Sequence, residues 1–195
     1  MPRTRSESAH KKVIHAALEL VAKGGVEAAS MDAIAARSGV SKATIYKHWD
    51  DKNALLLESM SAVNGLDSRP VFDSGNTRAD MVAVLSYRPK ENSRMREKVL
   101  PHFVAYSATH VDFGQAWREV VMEPPRRELR HLISRGVAQG EIVCDVDMDL
   151  CLALLLGSLM YWHVFLKRTN VDPKVLAEGV VDIFWRAFSP ENKGP

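Results

Sequence analysis

Five side chains between residues 42 and 48 hold the chemistry most readily read from this sequence. Lys42, Thr44, Tyr46, Lys47 and His48 are hydrogen-bond donors or small contact groups, and no acid interrupts them before Asp50. Ile45 and Trp49, four residues apart, share the face that would anchor a helix to a core. A helix that merely covered a core would mix acids with bases on its open side. Donors without acids suit phosphate oxygens and base edges instead. Lys42 near the helix start, and Thr44 through its methyl and hydroxyl, could reach base edges. Tyr46, His48 and Lys52 are better suited to phosphate oxygens.

The stretch Ser30–Lys52, SMDAIAARSGVSKATIYKHWDDK, must hold those groups in place. Ser30 can cap a helix, and Asp32 suits the positive end of its dipole. No Glu follows Ser30 at the capping-box position, where Ala33 stands. This helix would run to Ser38, and Gly39 offers the left-handed conformation that stops it. Ser41 then caps a second helix, Lys42–Trp49, with Ala35, Val40 and Ile45 spaced to pack between the two. That is the helix-turn-helix arrangement. Upstream, a helix from about Ala9 to Lys23 carries Val13, Ile14, Ala17, Leu18 and Val21 on one stripe, and Gly24-Gly25 ends it. Residues 1–9 read as a polar arm containing Arg3 and Arg5. Such arms can enter a minor groove, which adds Arg5 to the DNA-contact candidates; a solubilising tail is the alternative.

The segment GVSKATIYKHWDDKNALL closely resembles the end of the DNA-binding domain of TetR-family transcriptional repressors. The shared form is glycine, an apolar residue and Ser, then a Tyr, an aromatic and an acidic-x-Lys step. The resemblance extends upstream through Ala28–Ala36 and the first helix. It implies a three-helix DNA-binding domain, a larger helical dimerisation and effector domain, and release from DNA on small-molecule binding. By motif position it assigns DNA contact to Lys42, Thr44, Tyr46, His48 and Lys52. Trp49 stands where the family more often has Phe, so an aromatic plug is kept.

Net charge over the whole chain is only +2, but it is unevenly placed. Residues 1–52 hold nine Lys/Arg against six Asp/Glu, giving +3; the remaining 17 against 18 give −1. This basic lean agrees with a polyanionic partner for the N-terminal part. Cys144 and Cys151 suggest neither a disulfide framework nor a zinc site. The opening MPRTRSESAHKK has no apolar stretch after its arginines, unlike a secretory signal, so a cytoplasmic protein is expected. Leu150–Leu166 is uncharged but short of the roughly 20 residues that span a bilayer. Gly157, Ser158 and His163 dilute it further, which favours a buried interface helix over a membrane span. There is no Gly-rich phosphate loop, no Glu-x-x-His pair and no Ser or Cys nucleophile with a recognisable base. The expectation is therefore a non-enzyme without cofactor.

The rest of the chain also reads helical, which makes the fold class all-α. Helices are expected at about 53–64, 77–86 and 93–109, the last kinked at Pro101, with a loop at Gly65–Asn76. Another, about 113–139, should kink or break at Pro124-Pro125. Asp145, Asp147 and Asp149 alternate, but Leu150 and Leu156 stand where a calcium loop needs Gly and Glu. Capping of the next helix, about 148–167, explains them better, and no metal is expected. That helix is apolar nearly all round, and the last, about 173–188, carries a broad apolar stripe. Two such helices favour a two-fold interface, and the resemblance implies that they form a four-helix bundle with their mates. Leu155, Leu159, Ile183 and Phe184 are the interface candidates, with ordinary core as the alternative. Aromatic and Met side chains mixed with a few polar groups suggest an apolar or aromatic effector. Its candidate contacts are His102, Phe103, Tyr106, Trp117, Val121, Met122, Tyr161, Trp162 and Phe165. The division expected is a helix-turn-helix DNA-binding domain over residues 1–52 and a helical effector and dimerisation domain over 53–195. Together these readings describe a homodimeric regulator of double-stranded DNA, released from a palindromic operator by a small molecule. An activator, or a constitutive binder without ligand control, shares the same DNA head.

Overall fold

Regular structure is helical throughout the described part of the chain. The computed structural model describes residues 3–89, 93–143, 147–166 and 171–190, apart from the side chains of 3–6 and 93. Its α-helices are α1 (Arg3–Gly24), α2 (Met31–Ser38), α3 (Lys42–Ile45), α4 (Lys52–Asn64) and α5 (Thr77–Ser86). They continue with α6 (Ser93–Thr109), α7 (Val111–Trp117), α8 (Glu123–Ala138), α9 (Met148–Met160) and α10 (Pro173–Phe188).

Helix α1 begins at Arg3 rather than near Ala9, so the expected arm is largely helical. No Gly or Pro interrupts the sequence from Arg3 to Lys23, and Lys11 pairs with Glu7 at 3.3 Å, one turn apart. Arg5 lies within this helix, and its side chain is outside the described residues. The single helix expected over 113–139 is three pieces. A π-helical turn, Arg118–Met122, separates α7 from α8. Pro124 and Pro125 then fall in the first turn of α8, where a missing N–H has no intrahelical partner to lose. The next apolar helix likewise ends as α-helix at Met160 and passes into a π turn, Tyr161–Phe165. At its start Asp147 accepts from the backbone N–H groups of Asp149 (2.8 Å) and Leu150 (3.1 Å), as a cap should. Asp145 and Cys144 lie outside the described residues, and Cys151 is buried. Among the described residues no three metal-ligating side chains cluster.

Two compact units emerge. One contains Met1–Ser68 and Arg88–Val121, the other Arg69–Tyr87 and Met122–Pro195. In the first, α1 packs against α2, α4 and α6, and α6 packs on α7. Val13, Ala17 and Val21 of α1, Leu55, Leu56 and Met60 of α4 and Phe103 of α6 are all buried in this unit.

In the second unit α5 packs on α8 and α10, and α9 packs on α8 and α10. Its core joins Met81, Leu85, Leu129, Ile133, Leu152 and Val181. Here the interface expectation needs correction. Leu155, Leu159 and Phe184 belong to this intrachain core at 0%, 8% and 3% exposure, whereas Ile183 is 73% exposed. An all-round apolar helix has more than one face, and α8 and α10 take the face bearing Leu155 and Leu159. The open face carries Leu150, Leu154, Tyr161 and Phe165, and α10 adds Val175 beside Ile183 on its own exposed side. Met148–Phe165 has a mean hydropathy of 1.5, enough to span a bilayer on length and composition alone.

A buried ion pair closes this unit. Arg135 of α8 donates to Asp80 of α5 at 2.6 Å, and these side chains are 14% and 5% exposed. Asp80 also accepts from the Ser74 backbone N–H, while Arg135 reaches Asp73 at 2.6 Å, so the loop before α5 is tied down. Burial pushes the Asp80 carboxyl up, but the bonds from Arg135 and Ser74 with the Arg135 charge outweigh it and hold it below the usual range. A carboxylate so depressed stabilises the fold above its unfolded pKa and loses that stabilisation as pH falls through the folded value. Asp80→Asn should therefore cost about 1–3 kcal/mol at neutral pH, because Arg135 loses its buried counter-charge and keeps only the exposed Asp73. Denaturant unfolding at pH 7 and at about pH 3 should show the variant's deficit shrinking in acid.

Candidate nucleic-acid interface

The helix-turn-helix region is built from the backbone outward. Ser30 caps α2 by accepting from the Ala33 N–H at 3.2 Å, and Gly39 ends it in the left-handed conformation, φ 69°. Ser41 caps α3 through the Thr44 N–H at 3.2 Å. Asp51 caps α4 through the Ala54 N–H at 2.8 Å. Three caps in little over twenty residues define where each short helix must begin. Ile34 is fully buried, and Ile45 is only 1% exposed. Arg37 of α2 grips Glu19 of α1 with two nitrogens at 2.8 and 2.7 Å, and this bond with the Arg37 charge holds the Glu19 carboxyl below its usual range.

The second helix is shorter than its sequence suggests. Regular α-structure ends at Ile45, and residues 46–48 form a tight turn held by Lys47 N–H to Thr44 O (3.3 Å) and His48 N–H to Ile45 O (2.9 Å). Thr44, Ile45 and Tyr46 bring β-branching or an aromatic ring to successive positions, a poor sequence for propagating a helix. The segment is thus fixed by its ends, Ile45 at 1% exposure and Trp49 at 3%.

Three expected contact residues lie between those anchors and two just before them. Lys42, Tyr46, Lys47 and His48 are exposed, and Thr44 is half-buried. Several already have protein partners. Lys42 Nζ is 2.6 Å from Asp32, whose hydrogen bond and charge raise the ammonium above its usual range. The Thr44 hydroxyl lies 2.9 Å from that of Ser41. Lys52 is 3.6 Å from Glu27 and lies over the Tyr106 ring, 5.2 Å from its centroid. A phosphate drawing on Lys42 or Lys52 must compete with a carboxylate.

The anchor Trp49 has partners that sequence reasoning missed. Its indole N–H donates to one oxygen of Glu58 at 2.6 Å, and His10 Nε2 stands 2.6 Å from the other. The His10 ring stacks on the indole with centroids 4.6 Å apart, and His48 meets His10 edge-on at 5.6 Å. The one available signal was Trp in place of Phe, since a buried indole N–H needs an acceptor. Nothing in the linear sequence selects Glu58 for that role.

The effector candidates are divided between the two units. Phe103 and Trp117, at 0% and 3% exposure, stack with Phe113 in the first unit's core. His102 and Tyr106 are half-buried there, and Tyr106 stacks on His110 at 3.7 Å. Met122 and Trp162, also half-buried, belong to the second unit.

Known proteins supply the comparison. Residues 13–59 match the family model described as bacterial regulatory proteins, tetR family, and residues 71–183 match the tetracyclin repressor-like C-terminal domain. The uncharacterized HTH-type transcriptional regulator YdeS of Bacillus subtilis (strain 168) is 28% identical over 182 residues, 93% of this chain and 91% of its own length. The DNA-binding transcriptional repressor TetR of Mycobacteroides abscessus is 27% identical over 146 residues, 75% of this chain and 77% of its own. In fold, the chain resembles FadR of Bacillus subtilis in complex with stearoyl-CoA. The TM-score is 0.68 at 16% identity, covering 89% of this chain and 96% of FadR.

Proposed function

The chain belongs to the TetR family of DNA-binding transcriptional regulators, and from that premise we propose that it is a homodimeric repressor released from a near-palindromic operator by a small apolar or aromatic effector. The observation that carries this reading is the two-sided segment 42–49. Its apolar residues Ile45 and Trp49 are buried, while Lys42, Tyr46, Lys47 and His48 are open to solvent. DNA binding is assigned to residues 1–52, and effector binding and dimerisation to 53–195. Lys42 and Thr44 take base edges, and Tyr46, Lys47, His48 and Lys52 take phosphates.

A lone segment of this length reads few base pairs, so two copies related by a two-fold axis are needed for discrimination. The mating surface is the exposed apolar stripe Leu150, Leu154, Tyr161 and Phe165 with Val175 and Ile183. Repression is supported by the Mycobacteroides abscessus relative, a DNA-binding transcriptional repressor, and an apolar effector by the stearoyl-CoA held by FadR. Each unit offers half-buried candidates for effector contact, His102 and Tyr106 in one, Met122 and Trp162 in the other. An effector that shifts the separation of the two heads forfeits one set of contacts, and about 1–3 kcal/mol of coupling is enough to regulate.

Affinity measurements on a selected operator and on scrambled DNA at several salt concentrations test the assignments. Lys52→Ala should weaken both and reduce the salt slope by about one, and Tyr46→Ala should weaken both similarly. Thr44→Ala should alter sequence preference; equal losses on the two DNAs would contradict the base contact. Ile183→Asp places a charge in the proposed dimer face. It should give a monomer in sedimentation and lower operator affinity by at least about tenfold, since the second half-site is lost.

A further inference from the structure

Three elements of the first unit meet at one carboxylate. Glu58 of α4 accepts from the Trp49 indole at 2.6 Å, and its other oxygen lies 2.6 Å from His10 Nε2 of α1. An ionised carboxylate can only accept, so that imidazole nitrogen is the donor. His10 and Trp49 stack on each other, which closes a triangle of contacts among α1, α4 and the segment after α3. The four-residue α3 cannot hold its own orientation, since a helix of one turn is unstable by itself. Tyr46, Lys47 and His48 follow it in a turn whose backbone bonds reach back only to Lys42, Thr44 and Ile45, and Trp49 is the next side chain along the chain that is anchored in the core.

From this geometry we propose that Glu58 is a positioning residue for DNA binding. It touches no DNA. It acts through Trp49, fixing the end of the segment that presents Tyr46, Lys47 and His48, with His10 bracing the opposite oxygen. A Phe at position 49 would pack equally well but could not be gripped, so the indole N–H is what makes the carboxylate necessary. The inference rests on the DNA-binding reading above.

The test uses the full chain, a duplex selected from a random pool by the wild-type protein, and nitrogen-labelled protein for indole N–H resonances. Glu58→Leu keeps the bulk and removes the acceptor. It should weaken duplex binding about fivefold, the size of one hydrogen bond to a partly exposed charge. Glu58→Gln should stay within about twofold, because its amide can accept from the indole and donate to the other tautomer of His10. In a Trp49→Phe background Glu58→Leu should change affinity little, and this double variant also serves if the single one folds poorly. Without DNA, the Trp49 indole resonance should move and exchange faster with water in Glu58→Leu than in Glu58→Gln. An unmoved indole resonance overturns the proposal whether or not the wild type binds DNA. A wild type that binds, with folded Glu58→Leu binding equally well or Glu58→Gln losing as much as Glu58→Leu, overturns it too. Failure of the wild type to select any duplex would count against the DNA-binding reading, leaving the indole measurement to decide the clamp.

Discussion

A surface segment of eight residues can present donors to a polyanion only if something other than its own helix holds it still. Here the hold comes from burial of Ile45 and Trp49 at either end of an exposed run. Full burial of two such side chains contributes about 1.5–3 kcal/mol each, more than one turn of helix supplies from backbone bonds. The caps at Ser30, Ser41 and Asp51 set the register of the short helices, and the apolar anchors set their depth. The donors on the open side then owe their alignment to residues buried beneath them.

The same division of labour recurs in the second unit. There α9 spends its Leu152, Leu155 and Leu159 face on the core that also holds Phe184, and keeps a second apolar face in the open. The Arg135–Asp80 pair fixes α8 against α5, giving the core a stiff polar edge. Lys42 and Lys52 each face a carboxylate in the chain, so under the proposed DNA-binding reading a phosphate draws on them in competition with the fold. Any rearrangement that tightens Glu27 on Lys52, or moves Tyr106 beneath it, changes what that ammonium can offer a phosphate.

Much of this was legible because local chemistry is written locally. Ser30, Gly39 and Ser41 act within a few residues of themselves, so the helix-turn-helix and its caps follow from spacing. The all-α fold and the loop at 65–76, apart from its 3-10 turn at Leu66–Ser68, are equally visible in periodicity and in Gly and Pro content. What spacing hides is which of several equivalent partners a side chain meets. Leu155 and Leu150 are both apolar positions on one helix, yet only packing against α8 and α10 decides which is core. The grip of Glu58 on Trp49 was invisible because it joins elements through the tertiary fold. The turns at 118–122 and 161–165 were missed because a π turn keeps helical residue types and differs only in bond pattern.

The central claim, a paired reader of double-stranded DNA, is tested most directly by selecting bound sequences from a random duplex pool with the purified chain. An enriched motif with two-fold symmetry is expected, its half-sites about one helical turn or more apart. An asymmetric motif would contradict the paired reader, and no enrichment at moderate salt by demonstrably folded protein would contradict sequence-specific binding itself.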